Sequence, residues 1–231
     1  MGNIVVIGGS TGIGAALAQR LAGQGHRVFA TFNRHELPSS GSLSFHRCDV
    51  LDPHPDLSFL PDAVHGLVYC PGSITLKPFA RLSADDFVQD YRLQVVGAVV
   101  VLQHALPRLK QAERASVVLF SSVAASTGFG YHAMVASSKG AIEGLTVALA
   151  AEWAPRIRVN AIAPSLTDTP LAATLLNTPE KRDANAQRHP LKRVGEPADL
   201  AATAGFLLSE DASWITGQVL HADGGIGRLR V

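Results

Sequence analysis

The chain has 231 residues, of which 47% are apolar and 17% charged, and this fits one α/β domain with a substantial buried core. Its net charge of +1 gives no reason to expect a nucleic-acid partner or binding to a charged membrane surface. No apolar run is long enough to span a bilayer, and Cys48 and Cys70 are expected to be free thiols in a reducing compartment. We therefore expect a cytoplasmic protein with no metal site.

Short β-branched runs alternate along the chain with longer runs rich in Ala and Leu. The short runs are continuously apolar, which predicts strands that are buried on both faces, as in a parallel sheet. The seven predicted strands are 3–8, 27–32, 43–47, 66–70, 116–122, 156–163 and 217–224. Such alternation predicts an α/β fold, a single-domain Rossmann-like doubly wound parallel sheet over residues 1–231.

The longer runs are predicted to form helices on the two faces of this sheet. They are 11–25, 83–109, 136–154 and 195–209, with Ser83 as the N-cap of the second. The connections 33–43 and 51–64 are too short for full crossover helices. Residues 165–190 form an insert rich in proline, threonine and charge, and we expect it to be a mobile flap over a pocket.

A glycine-rich turn joins the first strand to the first helix. Glycines allow a tight turn and close approach of the backbone to a pyrophosphate, and the helix N-terminus offers free N–H groups to the anion. A glycine-rich turn alone is weak support, but its place between a strand and a helix predicts dinucleotide binding. The expected contacts are Gly8, Ser10, Thr11, Gly12, Ile13 and Gly14.

The end of the second strand bears on the choice of cofactor. In dinucleotide folds that prefer NAD, an acidic residue near this point hydrogen-bonds the ribose hydroxyls. Here Phe32 is followed by Asn33 and Arg34, so no carboxylate repels a 2′-phosphate and a guanidinium is at hand to bind one. We predict NADP(H) in preference to NAD(H); the alternative is that Arg34 is an ordinary solvated loop residue.

Ser122, Val135 and Lys139 have the spacing of a known catalytic set. With the spacing Gly-x3-Gly-x-Gly at residues 8–14 and the C-terminal stretch from RHPLKR to HADGG, they make almost the whole chain resemble the short-chain dehydrogenase/reductase family. The resemblance implies a nicotinamide-dependent oxidoreductase in which Ser122 polarises a carbonyl and Lys139 binds the ribose. Val135 stands where the family has the tyrosine that acts as general acid, and valine cannot donate a proton.

The same resemblance implies further contacts with the cofactor. Asp49 and Val50 match a pair that contacts adenine, although an isolated Asp in a turn is more often a cap. In the stretch Tyr69-Cys70-Pro71-Gly72, only Gly72 survives from the family's Asn-Asn-Ala-Gly, and the bracing by asparagine is expected to be lost.

Two more departures lie near the nicotinamide end of the expected site. Gln94 stands where the family has an asparagine that steadies a proton-relay water. Ser165 replaces a glycine in the turn that brackets the nicotinamide carboxamide. The contacts expected from that turn are Pro164, Leu166 and Thr169.

Two replacements for the missing phenol stay open. Tyr131, Val135 and Lys139 are spaced i, i+4 and i+8, so they share a helix face if the helix extends back that far; otherwise Tyr131 is in the loop before it. The plainer interpretation of Tyr131 is a packing residue, and that of its neighbour His132 is a loop or interface histidine. Alternatively, an activated C=C bond accepts hydride and later takes its proton from water.

The resulting hypothesis is an NADP(H)-dependent reductase of a small carbonyl or activated alkene, with an atypical proton donor. The catalytic candidates are Ser122, Lys139, Tyr131 and Gln94. The pocket should be lined by Ser73, Ile74, Gln94, Val135, Leu166 and the flap. A homodimer or homotetramer built on the two long helices and the last strand is expected. The alternatives are a catalytically silent NADP(H)-binding sensor or assembly partner, and a non-redox enzyme on the same scaffold.

Overall fold

Seven parallel strands form one sheet in the order β3-β2-β1-β4-β5-β6-β7 in the computed structural model, which describes residues 1–230. The strands are β1 Asn3–Ile7, β2 Arg27–Phe32, β3 Leu43–Arg47, β4 Gly66–Tyr69, β5 Ala115–Phe120, β6 Ile157–Pro164 and β7 Val219–Ala222. The strand order reverses between β1 and β4, and ligands of such sheets bind outside the carboxyl ends at this point. The predicted fold and all seven strands are confirmed.

Six α-helices belong to the described chain. They are α1 Gly12–Gly23, α2 Ala84–Tyr91, α3 Gly97–Leu109, α4 Ala133–Trp153, α5 Pro179–Gln187 and α6 Pro197–Leu208. Helices α1 and α6 cover one face of the sheet, where Leu17 and Leu21 share a buried cluster with Leu200 and Leu207. Helices α3 and α4 bury a second cluster against the other face. The connections after β2 and β3 carry no helix, as their length predicts.

The second predicted helix differs from a continuous α-helix over 83–109. It starts as expected, because the Ser83 hydroxyl caps the backbone N–H of Asp86 and the Asp86 carboxylate caps Ser83 in return. Residues Arg92–Val96 then form a π-helical turn between α2 and α3. One extra residue in that turn changes the direction of the side chains it carries, and such turns are frequent at functional sites.

The remaining elements also differ from the expected ones in detail. Helix α4 begins at Ala133 rather than at 136, so Val135 lies within its first turn. The insert 165–190 contains a short 3₁₀ segment, Pro170–Leu175, and the whole of α5. Among residues 1–230, no helix combines the length and the apolarity needed to cross a bilayer.

Candidate active site

A cavity of about 270 Å³ lies at the carboxyl ends of the central strands. All the residues expected around the pocket line it: Ser73, Ile74, Gln94, Val135 and Leu166, together with Leu171, Ala172, Leu175, Asn185, Arg188 and His189 of the insert. Ser122 and Lys139 line the same cavity, as do Ile13, Gly72, Pro164 and Thr169. The structure therefore gathers residues from six separate segments of the chain around one space.

The glycine-rich turn forms a cradle in which side chains have no room. Gly8 and Gly12 have φ values of 75° and 53°, which favour glycine. A Cβ on Gly14 would lie 2.2 Å from the carbonyl oxygen of Gly8. Thr11 is the N-cap of α1, but its side chain makes no capping bond, so the first N–H groups of the helix stay free for a ligand. This geometry fits a pyrophosphate, as the sequence predicts.

The turn also contacts the segment that follows β6. A Cβ on Gly12 would lie 3.3 Å from the Cγ2 atom of Thr169, so the two loops are in near contact. Pro71 approaches Gly8 at a similar distance, 3.2 Å from its ideal Cβ position. The phosphate end and the nicotinamide end of a bound dinucleotide would therefore share one continuous edge of the sheet.

The residues expected around the adenine ribose lie beyond this cavity. Asn33 and Arg34 are exposed directly after β2, and Arg34 makes no side-chain hydrogen bond or ion pair with any of residues 1–230. Asp49 accepts a hydrogen bond from the backbone N–H of Leu51 at 3.0 Å, which is a turn contact. Val50 is half-buried, and its carbonyl oxygen lies 3.1 Å from the ideal Cβ position of Gly97.

Lys139 is buried although it carries a titratable amine. Its side chain is on α4, 8% of the residue is exposed, and Nζ donates a hydrogen bond to the carbonyl oxygen of Phe120 at 2.8 Å. Burial lowers the pKa of Lys139 to about 8, and the nearby carboxylate of Asp90 opposes part of that shift. The amine therefore has two further donor positions that can serve a ligand in the cavity.

The sequence analysis missed Asp90, which organises this side of the cavity. Its buried carboxylate accepts hydrogen bonds from Gln94 Nε2 at 2.8 and 2.7 Å and from the Ser138 hydroxyl at 2.6 Å. The Ser73 hydroxyl donates a further bond to the same carboxylate. The i, i+4 spacing of Asp90 and Gln94 is the feature of the sequence that indicates this contact.

Gln94 is oriented by this carboxylate and lies in the π-helical turn. Because its amide nitrogen donates to Asp90, its Oε1 atom points away and stays buried with no partner among residues 1–230. An ideal Cβ on Gly72 would be 3.7 Å from that oxygen and 3.8 Å from Lys139 Nζ. A free acceptor and a buried amine thus both border the space beside Gly72, which suits a water molecule or a ligand hydroxyl.

Ser122 and Val135 face the same cavity from different elements. Ser122 follows β5, and its Oγ atom accepts a hydrogen bond from the backbone N–H of Ala124 at 3.2 Å. Its hydroxyl proton is therefore available to a ligand. Val135 is 6% exposed and lies one turn before Lys139 on α4. The wall at residue 135 is accordingly apolar.

Tyr131 does not line the cavity. It precedes α4 with a left-handed φ of 68°, and 64% of its surface is exposed. Because α4 begins at Ala133, the face shared by Tyr131, Val135 and Lys139 does not form, and the loop position is the one observed. His132 does line the cavity, and its Nδ1 atom lies 2.7 Å from the carbonyl oxygen of Gly130.

The stretch Tyr69-Cys70 contains a brace that differs from the asparagine pattern. The phenol of Tyr69 donates a hydrogen bond to the carbonyl oxygen of Leu93 at 2.6 Å and so ties β4 to the π-helical turn. Burial raises the pKa of this phenol far above its ordinary value. Burial also raises the pKa of the Cys70 thiol to about 12, so it is a neutral wall of the cavity at physiological pH.

One pair at the nicotinamide end was not foreseen. The Oγ atom of Ser165 lies 2.8 Å from Nε2 of His189, a buried residue that the sequence analysis did not single out. Both residues line the cavity, one after β6 and the other after α5. Within residues 1–230 no group of His, Cys, Asp and Glu side chains could hold a metal ion.

Ligands of a doubly wound sheet bind at its switch point, and the glycine cradle there, beside the buried Lys139, suits the pyrophosphate of a dinucleotide. The sequence model of the family described as Enoyl-(Acyl carrier protein) reductase matches residues 8–227. The chain belongs to the short-chain dehydrogenase/reductase family, whose members bind a nicotinamide cofactor.

Individual relatives match over nearly the full chain. The 3-oxoacyl-[acyl-carrier-protein] reductase MabA of Mycobacterium tuberculosis is 34% identical, and the match covers 97% of this chain and 92% of MabA. The ligand-free aldohexose dehydrogenase of Thermoplasma acidophilum superposes with a TM-score of 0.89 at 28% identity, over 100% of this chain and 96% of that one. An NADP active-site complex of Pseudomonas aeruginosa RhlG gives a TM-score of 0.91 at 26% identity, over 97% and 96%.

Proposed function

We propose that this protein is an NADP(H)-dependent reductase of a small, largely apolar carbonyl compound or activated alkene, and that its proton donor is a group other than residue 135. The observation that carries this proposal is the shared cavity, where Ser122, Gln94 and Lys139 face the segment that follows β6. Bound reduced nicotinamide would supply a hydride there. The residues of the chain have the other tasks of binding, polarising and moving the proton.

Three groups of residues would hold the cofactor. The free N–H groups at the start of α1 bind the pyrophosphate, and the Lys139 amine donates to the nicotinamide ribose. Pro164, Leu166 and Thr169 border the nicotinamide, and Gly72 leaves space beside Lys139. Solved relatives with bound NADP support the choice of a phosphorylated dinucleotide, as does the unpaired guanidinium of Arg34.

The walls of the cavity indicate the kind of substrate. Most of the surface around Val135 is apolar, with further contributions from Ile74, Leu76, Phe129, Leu171 and Leu175. The volume of about 270 Å³ is near the lower end of the roughly 300–1,000 Å³ that is typical of ligand pockets. In the ternary complex, the Ser122 hydroxyl would donate a hydrogen bond to the oxygen of the substrate's carbonyl group and polarise it.

The cofactor preference is tested with Arg34→Ala. Losing a charge-assisted contact to the 2′-phosphate should weaken NADPH binding roughly 10- to 100-fold and leave NADH binding within about twofold. Tryptophan fluorescence or calorimetric titration gives both dissociation constants. Arg156→Ala is the matched control, because Arg156 is exposed at the amino end of β6, whereas the expected cofactor site lies at the carboxyl ends of the strands. Equal NADH and NADPH affinities in the wild type would contradict the preference.

The activity is tested by following NADPH oxidation with a panel of ketones, aldehydes and enones. The wild type should turn over at least one apolar member of the panel, and Lys139→Met should lose most of that activity. Val135→Tyr would restore a phenol at the position that the family resemblance assigns to the general acid, and Val135→Leu is its control for bulk. Tight NADPH binding without turnover of any substrate would sink the proposed reductase.

A further inference from the structure

Ser165 and His189 form a hydrogen-bonded pair whose direction can be assigned. The Nδ1 atom of His189 lies 2.8 Å from the carbonyl oxygen of Asn185. A carbonyl oxygen only accepts, so Nδ1 carries a hydrogen and donates it. In the neutral ring Nε2 is then an acceptor, and the Ser165 hydroxyl donates to it across 2.8 Å. The serine hydroxyl is therefore coupled to a base whose other nitrogen is fixed by the backbone.

This pair lies between two cavities. Ser165, Leu166, Thr167 and His189 line the candidate active site and also line a second cavity of about 530 Å³. His189 is 3% exposed and has both ring nitrogens bonded in the described structure. The His189 ring is therefore a wall that the two cavities share.

The hydrogen bond between Ser165 and His189 is not needed to hold α5 in place, because other contacts do so. Arg182 of α5 binds the Asp168 carboxylate with two hydrogen bonds of 2.6 and 3.0 Å. The Asn185 side chain also donates to the carbonyl oxygen of Leu175 at 3.3 Å. These contacts already tie the helix to the loop after β6. The hydrogen bond between the Ser165 hydroxyl and the buried His189 imidazole therefore calls for a role other than holding the helix.

We propose that Ser165 delivers the proton that residue 135 cannot supply, and that His189 reloads it; this inference rests on the proposed reductase function. As the hydride forms the new C–H bond and the carbonyl π electrons move to oxygen, the Ser165 O–H bond breaks and its proton forms the product hydroxyl. The Ser165 oxygen simultaneously takes the Nε2 proton of a doubly protonated His189. The ring returns to the neutral form with Nδ1–H on Asn185, and solvent protonates it again from the second cavity.

Several charged or titratable groups lie near His189. Arg188 and Lys192 are close to it in the chain, and His132 also lines the first cavity. In the second cavity the neighbours are His221, Asp223, Arg193 and Asp199. Arg193 and Asp199 neutralise each other with bonds of 2.6 and 2.9 Å, whereas the Asp223 carboxylate accepts the backbone N–H groups of Gly225 and Gly227 and lies 3.8 Å from His221 Nδ1.

The pair itself is tested without substrate or cofactor. Nitrogen NMR on histidine-labelled protein should show the Nδ1–H tautomer of His189 with Nε2 as a hydrogen-bonded acceptor. Ser165→Ala should shift the Nε2 resonance and leave Nδ1 unchanged, and His132→Gln should leave both resonances of His189 in place. A wild-type ring that carries its proton on Nε2 would overturn the assignment.

Catalysis is tested in the same variants with NADPH and the best substrate of the panel. Ser165→Ala should lower kcat roughly 10²- to 10⁴-fold with little change in NADPH affinity, whereas Ser165→Thr keeps a hydroxyl and should retain part of the rate. His189→Gln removes the imidazole that reloads Ser165 and should lower kcat with little change in NADPH affinity. His104→Gln and Ser213→Ala are the controls and should keep the wild-type kcat, because both residues are exposed and line neither cavity.

The outcomes separate this inference from the proposed function. If the wild type reduces a substrate and Ser165→Ala does so equally fast, the proton route is wrong while the reductase stands. A Ser165→Ala variant with a raised KM, a lower melting temperature and an unchanged kcat would show that the pair stabilises the structure and takes no part in proton transfer. If the wild type binds NADPH and reduces nothing, the reductase and the proton route both fall.

Discussion

Lys139 shows how one buried residue links stability to pH. In the unfolded chain its amine titrates near 10.5, whereas burial lowers the pKa to about 8 in the folded protein. Between these two values the unfolded state binds more protons, so this residue makes the folded state more stable as the pH rises. The cost of holding a buried ammonium is present in full below about pH 8.

The corresponding experiment compares the wild type with Lys139→Met. The free energy of unfolding of the wild type, relative to the variant, should rise by about 2 kcal/mol between pH 7 and pH 9.5, because each pKa unit corresponds to about 1.4 kcal/mol. Urea titrations at several pH values measure it. The wild type is compared with the variant because other groups also change stability with pH. Burial raises the pKa values of Cys48 and Cys70, so these thiols lower the stability of both proteins in alkali. A flat difference would contradict the assigned pKa of Lys139.

At the scale of elements, Asp90 joins three other segments of the chain. It lies in the last turn of α2, and its carboxylate accepts from Gln94 in the π-helical turn, from Ser138 on α4 and from Ser73 after β4. A buried carboxylate is tolerated because these donors replace its lost hydration. The same bonds fix which end of the Gln94 amide faces the cavity, so Asp90 acts as a positioning residue for the site.

Removing this carboxylate should be costly. Asp90→Ala leaves two buried donors, on Gln94 and Ser138, without an acceptor, and each such group costs about 1–3 kcal/mol, so the loss in the free energy of unfolding should be at least about 2 kcal/mol. Asp85→Ala is the matched control, because Asp85 is exposed in the first turn of the same helix and should change stability by about 1 kcal/mol or less. Chemical denaturation of both variants decides the matter. Equal effects would refute the network.

The sequence predicts those elements in which local pattern and packing agree. Continuous apolar runs give the seven buried strands, and Ser83 gives the start of α2, because both signals are local. The π-helical turn at Arg92–Val96 could not be predicted in this way, since the same apolar spacing suits a continuous helix. Its extra residue is stabilised by contacts from β4 and α4, which no local pattern contains.

The same contrast holds for the site. Gly8, Ser122 and Lys139 belong to motifs with a fixed spacing, so the sequence brings them forward without a structure. Asp90 and His189 were missed because their roles depend on partners far along the chain, such as Ser138 at a separation of 48 residues. An isolated Asp or His is too common to indicate a site, and only the fold shows what it contacts.

At the scale of the whole molecule, several large apolar side chains remain exposed on α4, α6, β7 and the loop that precedes β7. Trp214 is 99% exposed, Val147 on α4 is 54% exposed, and Phe206 on α6 and Leu220 on β7 are each 40% exposed. Strand β7 is an edge of the sheet and pairs only with β6 among the described strands. Exposed apolar residues near an unpaired edge favour association between copies of the chain.

We therefore expect a dimer or tetramer of the 24.3 kDa chain. Light scattering during gel filtration should give two or four times this mass for the wild type. Charge at an interface is costly to desolvate, so Leu220→Lys should lower the mass of a tetramer by half, or that of a dimer to a monomer, if β7 forms the contact. Val147→Lys should lower the mass in the same way if α4 forms the contact.

Phe79→Lys is the control for these two variants, because Phe79 is 73% exposed in a separate 3₁₀ turn that no predicted interface includes. It should leave the mass unchanged, and circular dichroism should show that all three variants keep the fold. A wild type that stays at the monomer mass at micromolar concentration would contradict the assembly. A lower mass in Leu220→Lys alone would assign the contact to β7, and a lower mass in Val147→Lys alone would assign it to α4. An unchanged oligomer in both variants would place the interface on another surface.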